Sequence, residues 1–345
     1  MKKIVISELF IPPYDEGMKV TAFSLLKAIN KQTECIGIGP LSECNIHENI
    51  NRVYLSKLLF SFGLYKIIKK KRPDLLIYVP QASATLNSFI RFKILQWISS
   101  GSKLAMIALQ HCDREYNAIE KNIIRFLRPK RVFVLSGVMA KQFKTIGVLP
   151  SILPIGVDME KFVPVSNDRK KVLRNKYNIP SDRYLLLHVG HIKETRNLRL
   201  LTNFVSCVDI AVLIVGSTST SQEAGLKESL RQSGIFIIDY FVPEIQEIYQ
   251  LADCYIFPVI KKTAAIEFPL SVLEAMACNL PVVTTPFGGL PEHFSPSVDF
   301  MYFNTSEELM QKFNEIKQVH PETRKKVEKF SWDHVAKILL QSCED

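Results

Sequence analysis

Residues 252–292 alternate short apolar runs with polar loops in an order that few folds accommodate. Apolar residues dominate positions 252–257 and 282–284, and both runs have the length of a buried strand. Between them, residues 270–278 repeat apolar side chains at helical spacing, and the Asn-Leu-Pro sequence at 279–281 ends the helix. A strand, a helix and a second strand in this order form a parallel βαβ unit. The stretch therefore predicts an α/β protein.

A polar loop leads from the first of these strands into the predicted helix. Residues 258–268 are too polar and too interrupted by proline for either periodicity, and Pro269, Leu270 and Ser271 then open the helix. In open α/β sheets, ligands lie at the carboxyl edge of the strands, where the first N–H groups of a helix can bind phosphate. We therefore expect a ligand at the start of this helix, with Glu274 one turn further on.

Comparable strands occur on both sides of a charged segment near the middle of the 345-residue chain, which is long enough for two cores. Strands are predicted at residues 4–6, 75–78, 104–109 and 132–136 before this segment, and at 185–189, 211–215, 235–239 and 299–303 after it. We predict a first Rossmann-like domain over residues 1–165, joined by a last helix at about 330–345. A second Rossmann-like domain is predicted over residues 166–329.

Two basic segments of the first half are predicted to be helices. Residues 53–71 are expected to form one helix, whose end carries four consecutive cations from Lys69 to Arg72. Cations at a helix end favour the macrodipole, but four exceed what capping needs. Residues 121–131 mix cations with isoleucine and phenylalanine, which suits a helix packed on the core or one at a membrane interface. For this second segment we favour the core-packed helix.

The positive charge of the chain is concentrated in its first half. Residues 1–165 contain 24 Lys and Arg against 12 Asp and Glu, a net charge of +12, whereas residues 166–345 carry a net charge of −2. No nucleic-acid-binding fold or stacking pattern accompanies this charge, which argues against a nucleic-acid partner. We therefore predict a peripheral contact between the first domain and an anionic membrane at its inner face.

Composition excludes several classes of protein. The chain is 47% apolar and 23% charged, as is typical of soluble globular proteins, and no run approaches the ~20 apolar residues of a membrane span. The amino terminus enters a strand without the apolar region of a signal peptide. The seven cysteines stand singly, and no Asp-x-Asp motif occurs. We expect a cytoplasmic protein with reduced thiols and no metal site.

The stretch around Glu274 resembles a known family. Glu267-Phe-Pro-Leu-Ser-Val-Leu-Glu274, a Pro-Val-Val strand and Gly-Gly-Leu-Pro-Glu at 288–292 resemble the donor-site signature of the retaining glycosyltransferases of family 4, within glycosyl transferases group 1. The family pattern has two Glu residues eight positions apart. Its second Glu falls on Glu274, which the resemblance implies binds the donor ribose. Ile266 stands at the first position. Either a local loop shift lets Glu267, directly after it, serve as the catalytic carboxylate beside the sugar, or that carboxylate is missing here.

A second motif concerns the diphosphate of the donor. The family carries Gly-Arg and, five residues after that Arg, a Lys; here Gly190 is followed by His191, and Arg196 stands at the Lys position. The resemblance implies that these residues hold the diphosphate, with Lys193 as an additional cation and Arg196 also acting in catalysis. A guanidinium keeps its charge and suits phosphate oxygens.

Looser motifs extend the resemblance to the first domain and to the chain end. Gly17 matches a glycine of the family's first loop, and His111 matches a histidine that lies beside the donor sugar and is expected to act in catalysis. Asp113 is a further candidate for acceptor contact. Residues 152–164 resemble the interdomain strand, where we predict Asp158 to be a turn residue. The Phe-Ser-Trp sequence at 330–332 resembles the start of the helix that returns to the first domain.

The resemblance implies a GT-B fold, with two doubly wound Rossmann-like domains facing across a cleft. It also implies transfer of a sugar from a nucleotide-diphosphate sugar to a glycan, lipid-linked or other acceptor in glycoconjugate biosynthesis, with retained configuration and without cofactor or metal. A catalytically inactive subunit that binds the donor or scaffolds a glycan-assembly complex is the alternative, and a sugar-nucleotide epimerase is another. A dinucleotide enzyme is disfavoured because no Gly-x-Gly-x-x-Gly follows the first strand of either domain.

Overall fold

The protein forms two compact units. The structure is a computed structural model and describes residues 2–42, 49–59, 61–99, 101–111 and 114–344. The first unit comprises Met1–Gly156, Ile266–Phe268 and Trp332–Asp345, and the second comprises Val157–Ala265 and Pro269–Ser331. Among the described residues, no helix combines the length and the apolar content that crossing a bilayer requires.

The first unit is built on a seven-stranded parallel sheet. Its strands are β1 (Lys3–Ser7), β2 (Cys35–Pro40), β3 (Ile50–Val53), β4 (Leu75–Val79), β5 (Lys103–Ala108), β6 (Val132–Val134) and β7 (Ser151–Ile152). They are paired in the order β3-β2-β1-β4-β5-β6-β7. β1 and β4 are buried along their whole length, because helices cover both faces of such a sheet.

Five helices connect these strands. They are α1 (Gly17–Gln32), α2 (Phe62–Lys71), α3 (Leu86–Ile98), α4 (Ala118–Leu127) and α5 (Gly137–Thr145). Each of α2 to α5 starts after a Ser, Thr or Asn whose side chain accepts a hydrogen bond from the N–H three residues later. These caps satisfy N–H groups that lack a partner within the helix and so fix where each helix begins.

The second unit contains a six-stranded parallel sheet. Its strands are β8 (Tyr184–Val189), β9 (Ile210–Val215), β10 (Phe236–Ile238), β11 (Cys254–Phe257), β12 (Val282–Thr284) and β13 (Phe300–Tyr302). They are paired in the order β10-β9-β8-β11-β12-β13. Its helices are α6 (Asn167–Lys176), α7 (Ala224–Gln232), α8 (Ile245–Gln250), α9 (Leu270–Ala277), α10 (Leu290–His293), α11 (Ser306–Ile316) and α12 (Thr323–Val327). The predicted class of two doubly wound, Rossmann-like units is confirmed.

The last helix, α13 (Trp332–Glu344), packs along α1 of the first unit. Gln32 Nε2 donates to the carbonyl of Asp333 at 2.7 Å, and Arg131 Nη1 donates to the carbonyl of Cys343 at 2.8 Å. A Cβ atom at Gly156 would lie 2.7 Å from the backbone of Trp332, so only glycine fits there. The chain end therefore belongs to the first unit.

The prediction of one helix over residues 53–71 is wrong. Residues Ile50–Val53 form β3, and α2 begins only at Phe62. Leu59 adopts a left-handed φ of 59°, and the Ser61 side chain accepts from the N–H of Leu64 at 3.3 Å to cap α2. A turn and a cap thus interrupt an apolar pattern that could pass for continuous helix.

The prediction that the basic segment 121–131 packs on the core is also wrong. Its helix α4 buries only Ile124, whereas Ile119, Ile123 and Phe126 are exposed. Positions 119, 123 and 126 share one helical face, and that face points to solvent. The turn at Asp158 agrees with its prediction, because Asp158 Oδ1 accepts from the N–H groups two and three residues later.

Candidate functional site

The second sheet reverses its strand order between β8 and β11. β9 and β10 lie on one side of β8, and β11, β12 and β13 follow on the other. Such a reversal leaves a crevice at the carboxyl ends of the two central strands, where ligands of doubly wound proteins bind. β8 leads directly into residues 190–196, and β11 leads toward α9. These are the two segments that the sequence analysis selected.

Arg196 lies in a tight turn directly after β8. Its N–H donates to the carbonyl of Lys193 at 2.9 Å, and the residue is only 8% exposed. A Cβ atom at Gly190 would lie 2.9 Å from Arg196 Nη1. The missing side chain of Gly190 therefore leaves room for the guanidinium. His191 and Lys193 are half-buried in the same turn.

His188 in β8 adjoins this turn and was missed by the sequence analysis, because it lies within an apolar strand. It is fully buried, and its Nε2 lies 3.2 Å from the position of a Cβ at Gly190. Its Nδ1 lies 3.0 Å from the carbonyl oxygen of Ile256, which can only accept, so Nδ1 carries the hydrogen. Burial, with the Arg196 charge second, lowers the pKa of His188 to about 3. The ring is therefore neutral, and Nε2 is an acceptor.

Tyr255 in β11 connects the turn after β8 with the start of α9, and it too was missed. Its hydroxyl donates to the carbonyl of Val189 at 3.3 Å, and the Ser271 side chain hydrogen-bonds the same hydroxyl. Its ring centroid lies 6.3 Å from that of His188 and 5.9 Å from that of Tyr249. Burial raises the pKa of Tyr255 well above its usual range, so the hydroxyl stays protonated.

Glu274 lies in the second turn of α9 and is buried. Tyr249 donates its hydroxyl hydrogen to Glu274 Oε2 at 2.6 Å. Burial raises the pKa of Glu274 to about 7, although the Tyr249 hydrogen bond and the Lys161 charge oppose this rise. The carboxyl group therefore titrates near neutral pH. In its ionised form it can accept hydrogen bonds from two hydroxyl groups.

The start of α9 suits a negatively charged group. Pro269 precedes the helix in an extended conformation, and Leu270 and Ser271 begin it. Within the described chain, no side chain caps this end, and its first turn contains no acidic residue. The positive end of the helix dipole is therefore not neutralised by the protein itself.

Glu267 lies in the first unit and is fully buried. Its N–H donates to the carbonyl of Leu109 at 3.1 Å, and the hydroxyl of Ser136 donates to its Oε1 at 2.9 Å. Ser136 also caps α5 and was missed by the sequence analysis, since nothing in the pattern links residues so distant in the chain. The predicted role of Glu267 toward the sugar stays a prediction.

The other candidates of the first unit are Gly17, His111 and Asp113. A Cβ atom at Gly17 would lie 3.4 Å from Cδ1 of Ile266, so the first residue of α1 packs against the residue that precedes Glu267. His111 is half-buried and follows Leu109 by two positions. Asp113 lies outside the described residues. The roles of Gly17 and His111 stay predictions.

Comparison with known proteins agrees with this arrangement. Residues 183–318 match the family described as glycosyl transferases group 1. The chain is 27% identical to a D-inositol 3-phosphate glycosyltransferase from Arthrobacter sp. (strain FB24), over 40% of this chain and 34% of that protein. The protein of the same name from Paenarthrobacter aurescens (strain TC1) is 23% identical over 55% of this chain and 50% of that protein. The chain thus spans half or less of the length of these relatives.

Solved structures resemble the chain over nearly its whole length. Sucrose-phosphate synthase from Thermosynechococcus elongatus superposes with a TM-score of 0.76 at 15% identity, over 99% of this chain and 98% of that chain. HepE from Anabaena, in complex with UDP and glucose, gives a TM-score of 0.74 at 14% identity, over 99% of each chain. The chain therefore has the GT-B fold, and its residues 183–318 match glycosyl transferases group 1.

Proposed function

We propose that this protein transfers a sugar from a nucleotide-diphosphate sugar to an acceptor with retained configuration, as the resemblance to family 4 implies. The observation that carries the proposal is that the buried Arg196 follows β8 and the buried Glu274 lies in α9 after β11, where the strand order of the second sheet reverses. A guanidinium suits a phosphate, and a carboxylate suits two ribose hydroxyls. The Anabaena HepE structures with UDP, glucose and UDP-glucose support a nucleotide-sugar donor.

The proposed diphosphate site combines three sources of positive potential. The first is the Arg196 guanidinium, which lies beside Gly190. The second is the turn itself, which contains His191 and Lys193. The third is the uncapped start of α9 at Leu270, which offers backbone N–H groups. These groups are fixed before the donor arrives. They would stabilise the negative charge that develops on the leaving diphosphate, which is how preorganised donors lower a barrier.

The proposed chemistry is a substitution on one face of the sugar. The acceptor oxygen bonds to the anomeric carbon on the face from which the diphosphate leaves. The bond between that carbon and the phosphate oxygen breaks, its electron pair stays on the phosphate oxygen, and the same oxygen takes the acceptor proton. His111 and Glu267 are proposed to orient the sugar during this step. The route forms no covalent intermediate with the protein, unlike retaining glycoside hydrolysis.

The proposed acceptor is a glycan or a lipid-linked molecule with negative charge. Residues 1–165 carry a net charge of +12. The two curated relatives are named for transfer to D-inositol 3-phosphate, an anionic acceptor. A cationic domain raises the local concentration of such molecules and speeds their binding. We propose a cytoplasmic protein that meets its acceptor at the inner face of a membrane.

A catalytically inactive subunit that binds the donor is the second candidate. Two observations favour it: Ile266 occupies the position of the first Glu of the family pattern, and the neighbouring Glu267 is buried and hydrogen-bonded to Ser136. A carboxylate held in this way contributes to stability whether or not it contacts a sugar. Turnover by the purified chain would exclude this candidate.

Thermal unfolding with UDP, GDP, ADP and their sugar conjugates tests the donor site. A nucleotide at 100 times its Kd raises the free energy of unfolding by ~2.7 kcal/mol, which shifts the melting temperature by about 5–11 °C in a domain of this size. We expect a shift with one diphosphate series and none in the Arg196→Ala variant. No shift with any nucleotide would contradict the proposal.

Release of the nucleoside diphosphate then separates the two candidate functions. With the donor identified above, an active enzyme releases the diphosphate in the presence of anionic glycan or lipid acceptors. The anomeric proton of the product, observed by NMR, reports retention or inversion. Donor binding without release for any acceptor would favour the inactive subunit.

A further inference from the structure

The helices α2, α3 and α4 together carry a large excess of positive charge. α2 contacts α3, and α3 contacts α4, so the three helices are neighbours. Together they contain eight Lys and Arg residues and one Glu. Cations at the end of one helix favour its macrodipole, but α3 and α4 carry cations along their length. The imbalance is therefore a property of the layer and not of a single helix end.

The same layer exposes large apolar side chains. Phe126 of α4 is 79% exposed, Trp97 of α3 is 73% exposed, and Ile119 of α4 is 72% exposed. Ile123 and the α2 residue Phe62 are exposed as well. Single exposed apolar residues are ordinary, but a cluster on adjacent helices marks an interaction surface.

Two cations of these helices lie against exposed rings. Lys66 Nζ lies 4.4 Å from the ring centroid of Phe62. Lys93 Nζ of α3 lies 5.9 Å from the ring centroid of Phe126 in α4, which joins the exposed faces of these two helices. An apolar stripe bordered by Lys and Arg is the chemistry of helices that lie in the headgroup region of a bilayer.

We propose that α2, α3 and α4 form a docking face for a bilayer that contains anionic lipid. The exposed isoleucine, tryptophan and phenylalanine side chains enter the acyl boundary, and the surrounding cations contact phosphate groups. Nucleic acid would use the cations and the rings but offers nothing to Ile119 and Ile123, since recognition there relies on stacking and phosphate contact. The inference rests on the proposed function in one respect: sugar transfer to an acceptor at a membrane supplies the reason why this face would bind a bilayer.

Tryptophan fluorescence of the full chain reports this contact directly. The chain contains two tryptophans, of which Trp97 is exposed and Trp332 is buried. With vesicles of 30% phosphatidylglycerol in phosphatidylcholine, we expect a blue shift of emission that decreases as salt is added. The shift should disappear in Trp97→Phe, which retains an apolar side chain and leaves only Trp332 to emit. A shift that persists in this variant would contradict the proposed face.

Sedimentation with the same vesicles tests the apolar and the charged parts separately. The double variant Ile123→Ser, Phe126→Ser should lose at least about tenfold in vesicle affinity, and Lys70→Gln about fivefold. The matched controls lie on exposed positions of the second unit, Val208→Ser for the apolar part and Lys325→Gln for the charge, and should bind like the unchanged chain.

Two outcomes would overturn the inference. Equal vesicle binding by the α4 variants and their controls would contradict the proposed docking face. Single-stranded RNA that binds tighter than vesicles and displaces them would assign the cations to nucleic acid instead. The assay contains neither donor nor acceptor, so its failure leaves the proposed sugar transfer intact, and a failed donor assay leaves this result intact.

A different observation concerns His188. We infer that, once a diphosphate is bound, His188 Nε2 accepts a hydrogen bond from the Arg196 guanidinium and so positions it. Both His188 Nε2 and Arg196 Nη1 point to the position of a Cβ at Gly190, at 3.2 Å and 2.9 Å. Among the described residues, the buried His188 Nε2 has no hydrogen-bond partner. A buried acceptor without a partner is costly, and Arg196 is the donor that lies nearest to the same position.

Three substitutions test this positioning role, which rests on the proposed function. His188→Leu keeps the volume and removes the acceptor, and it should raise the donor Kd about tenfold. His188→Asn can still donate to the Ile256 carbonyl but is too short to reach Arg196, so it should fold and bind as weakly as His188→Leu. His188→Gln carries an acceptor at the reach of Nε2 and should recover most of the affinity.

The comparison with Arg196→Ala separates this inference from the function itself. Unchanged donor affinity in His188→Leu and His188→Asn, together with a large loss in Arg196→Ala, would contradict only the positioning role. If donor affinity falls in proportion to the melting temperature across all three His188 variants, His188 has a purely structural role. Unchanged affinity in Arg196→Ala would contradict the donor site.

Discussion

The two units differ in where they keep their charged groups. In the second unit, Arg174 is buried and donates to Asp253 at 2.5 Å, and the nearly buried Glu247 accepts from Tyr177 at 2.8 Å. In the first unit, the cations of α2, α3 and α4 lie at the surface beside exposed rings. Buried charges need partners, which the fold or a ligand must supply. These charges of the second unit are thus satisfied within the fold, whereas the cations of α2, α3 and α4 remain available at a surface.

This contrast arises on one architecture. Both units are parallel sheets with a reversal of strand order, at β1 and β4 in the first and at β8 and β11 in the second. The fold therefore decides where a ligand can bind but not what the ligand is. The side chains at the strand ends and on the outer helices determine which ligand binds.

Replacing Arg196 in the second unit should have the largest effect on activity. Arg196→Ala removes the buried guanidinium, and kcat/KM should fall about 10²–10³-fold, as when one preorganised donor to a developing charge is lost. Arg199→Ala is the matched control, because Arg199 is exposed and paired with Glu194 at 2.6 Å. It should change kcat/KM by less than about threefold. Equal effects of both substitutions on kcat/KM would contradict the proposed role of Arg196 in the donor site.

Gly190→Ala should have the next largest effect. The new Cβ would lie 2.9 Å from Arg196 Nη1, so the guanidinium must move away from its position. A displacement of this kind costs up to about 10²-fold in kcat/KM. The φ of 158° at Gly190 adds a modest loss of stability, because a residue with a Cβ is strained there. Gly225→Ala is the control, since nothing lies within 4 Å of its Cβ position in α7. A large fall in melting temperature for Gly190→Ala alone would indicate a structural role instead.

The sequence predicts the architecture and the two segments of the site because both depend on local patterns. The apolar runs at 185–189 and 252–257 and the glycine after the first of them are visible in the chain itself. His188 and Tyr255 are not visible in this way, because each stands inside a buried strand. Their hydrogen bonds to Ile256 and Val189 follow from the pairing of β8 with β11, which no single segment encodes.

The wrong predictions of the first unit have one physical cause. Periodicity shows that a helix has an apolar face but not whether anything covers that face. Residues 121–131 were expected to pack on the core, whereas Ile119, Ile123 and Phe126 face solvent. The helix predicted over 53–71 failed for a related reason, because the hydrophobic pattern continues through the turn at Leu59 and the cap at Ser61, which delay the start of α2 to Phe62. Hydrophobic periodicity alone therefore does not distinguish a buried helix face from an exposed one.

Glu274→Gln should change how nucleotide binding depends on pH. Burial raises the pKa of Glu274 to about 7, and ribose hydroxyls that donate to the carboxylate favour its ionised form. Nucleotide binding near pH 7 should therefore release part of a proton, and affinity should fall by up to about tenfold between pH 8 and pH 6. Titration calorimetry in buffers of different ionisation enthalpy measures the release. Glu274→Gln should show neither effect, and equal proton release in both proteins would contradict the role of Glu274.

The same shift makes a prediction for the protein without nucleotide. Between pH 4.5 and pH 7 the folded chain holds a proton on Glu274 that the unfolded chain lacks, so this group lowers the free energy of unfolding as pH rises through that window. Glu274→Gln should flatten this part of the stability profile. The charges of Lys161 and Asp158 act on the same group with opposite signs and do not change the direction.

The smallest effect is expected in the first unit, at the contact between Ser136 and Glu267. Ser136→Ala removes the hydroxyl that donates to the buried carboxylate at 2.9 Å and also removes the cap of α5. The free energy of unfolding should fall by about 1–3 kcal/mol, measured by urea denaturation. Ser136→Thr keeps both hydrogen bonds, and Ser342→Ala removes an exposed hydroxyl of α13, so both should stay near the unchanged chain.

Glu267→Gln then decides what that contact is for. A glutamine oxygen still accepts from Ser136, so a purely structural carboxylate can be replaced with little change in kcat/KM. A carboxylate that stabilises positive charge on the sugar cannot, and its loss should lower kcat without lowering the melting temperature. The first result would assign Glu267 to the stability of the first unit and strengthen the inactive-subunit candidate. The second would show that a buried charge of the first unit also serves a ligand, which would narrow the contrast between the two units.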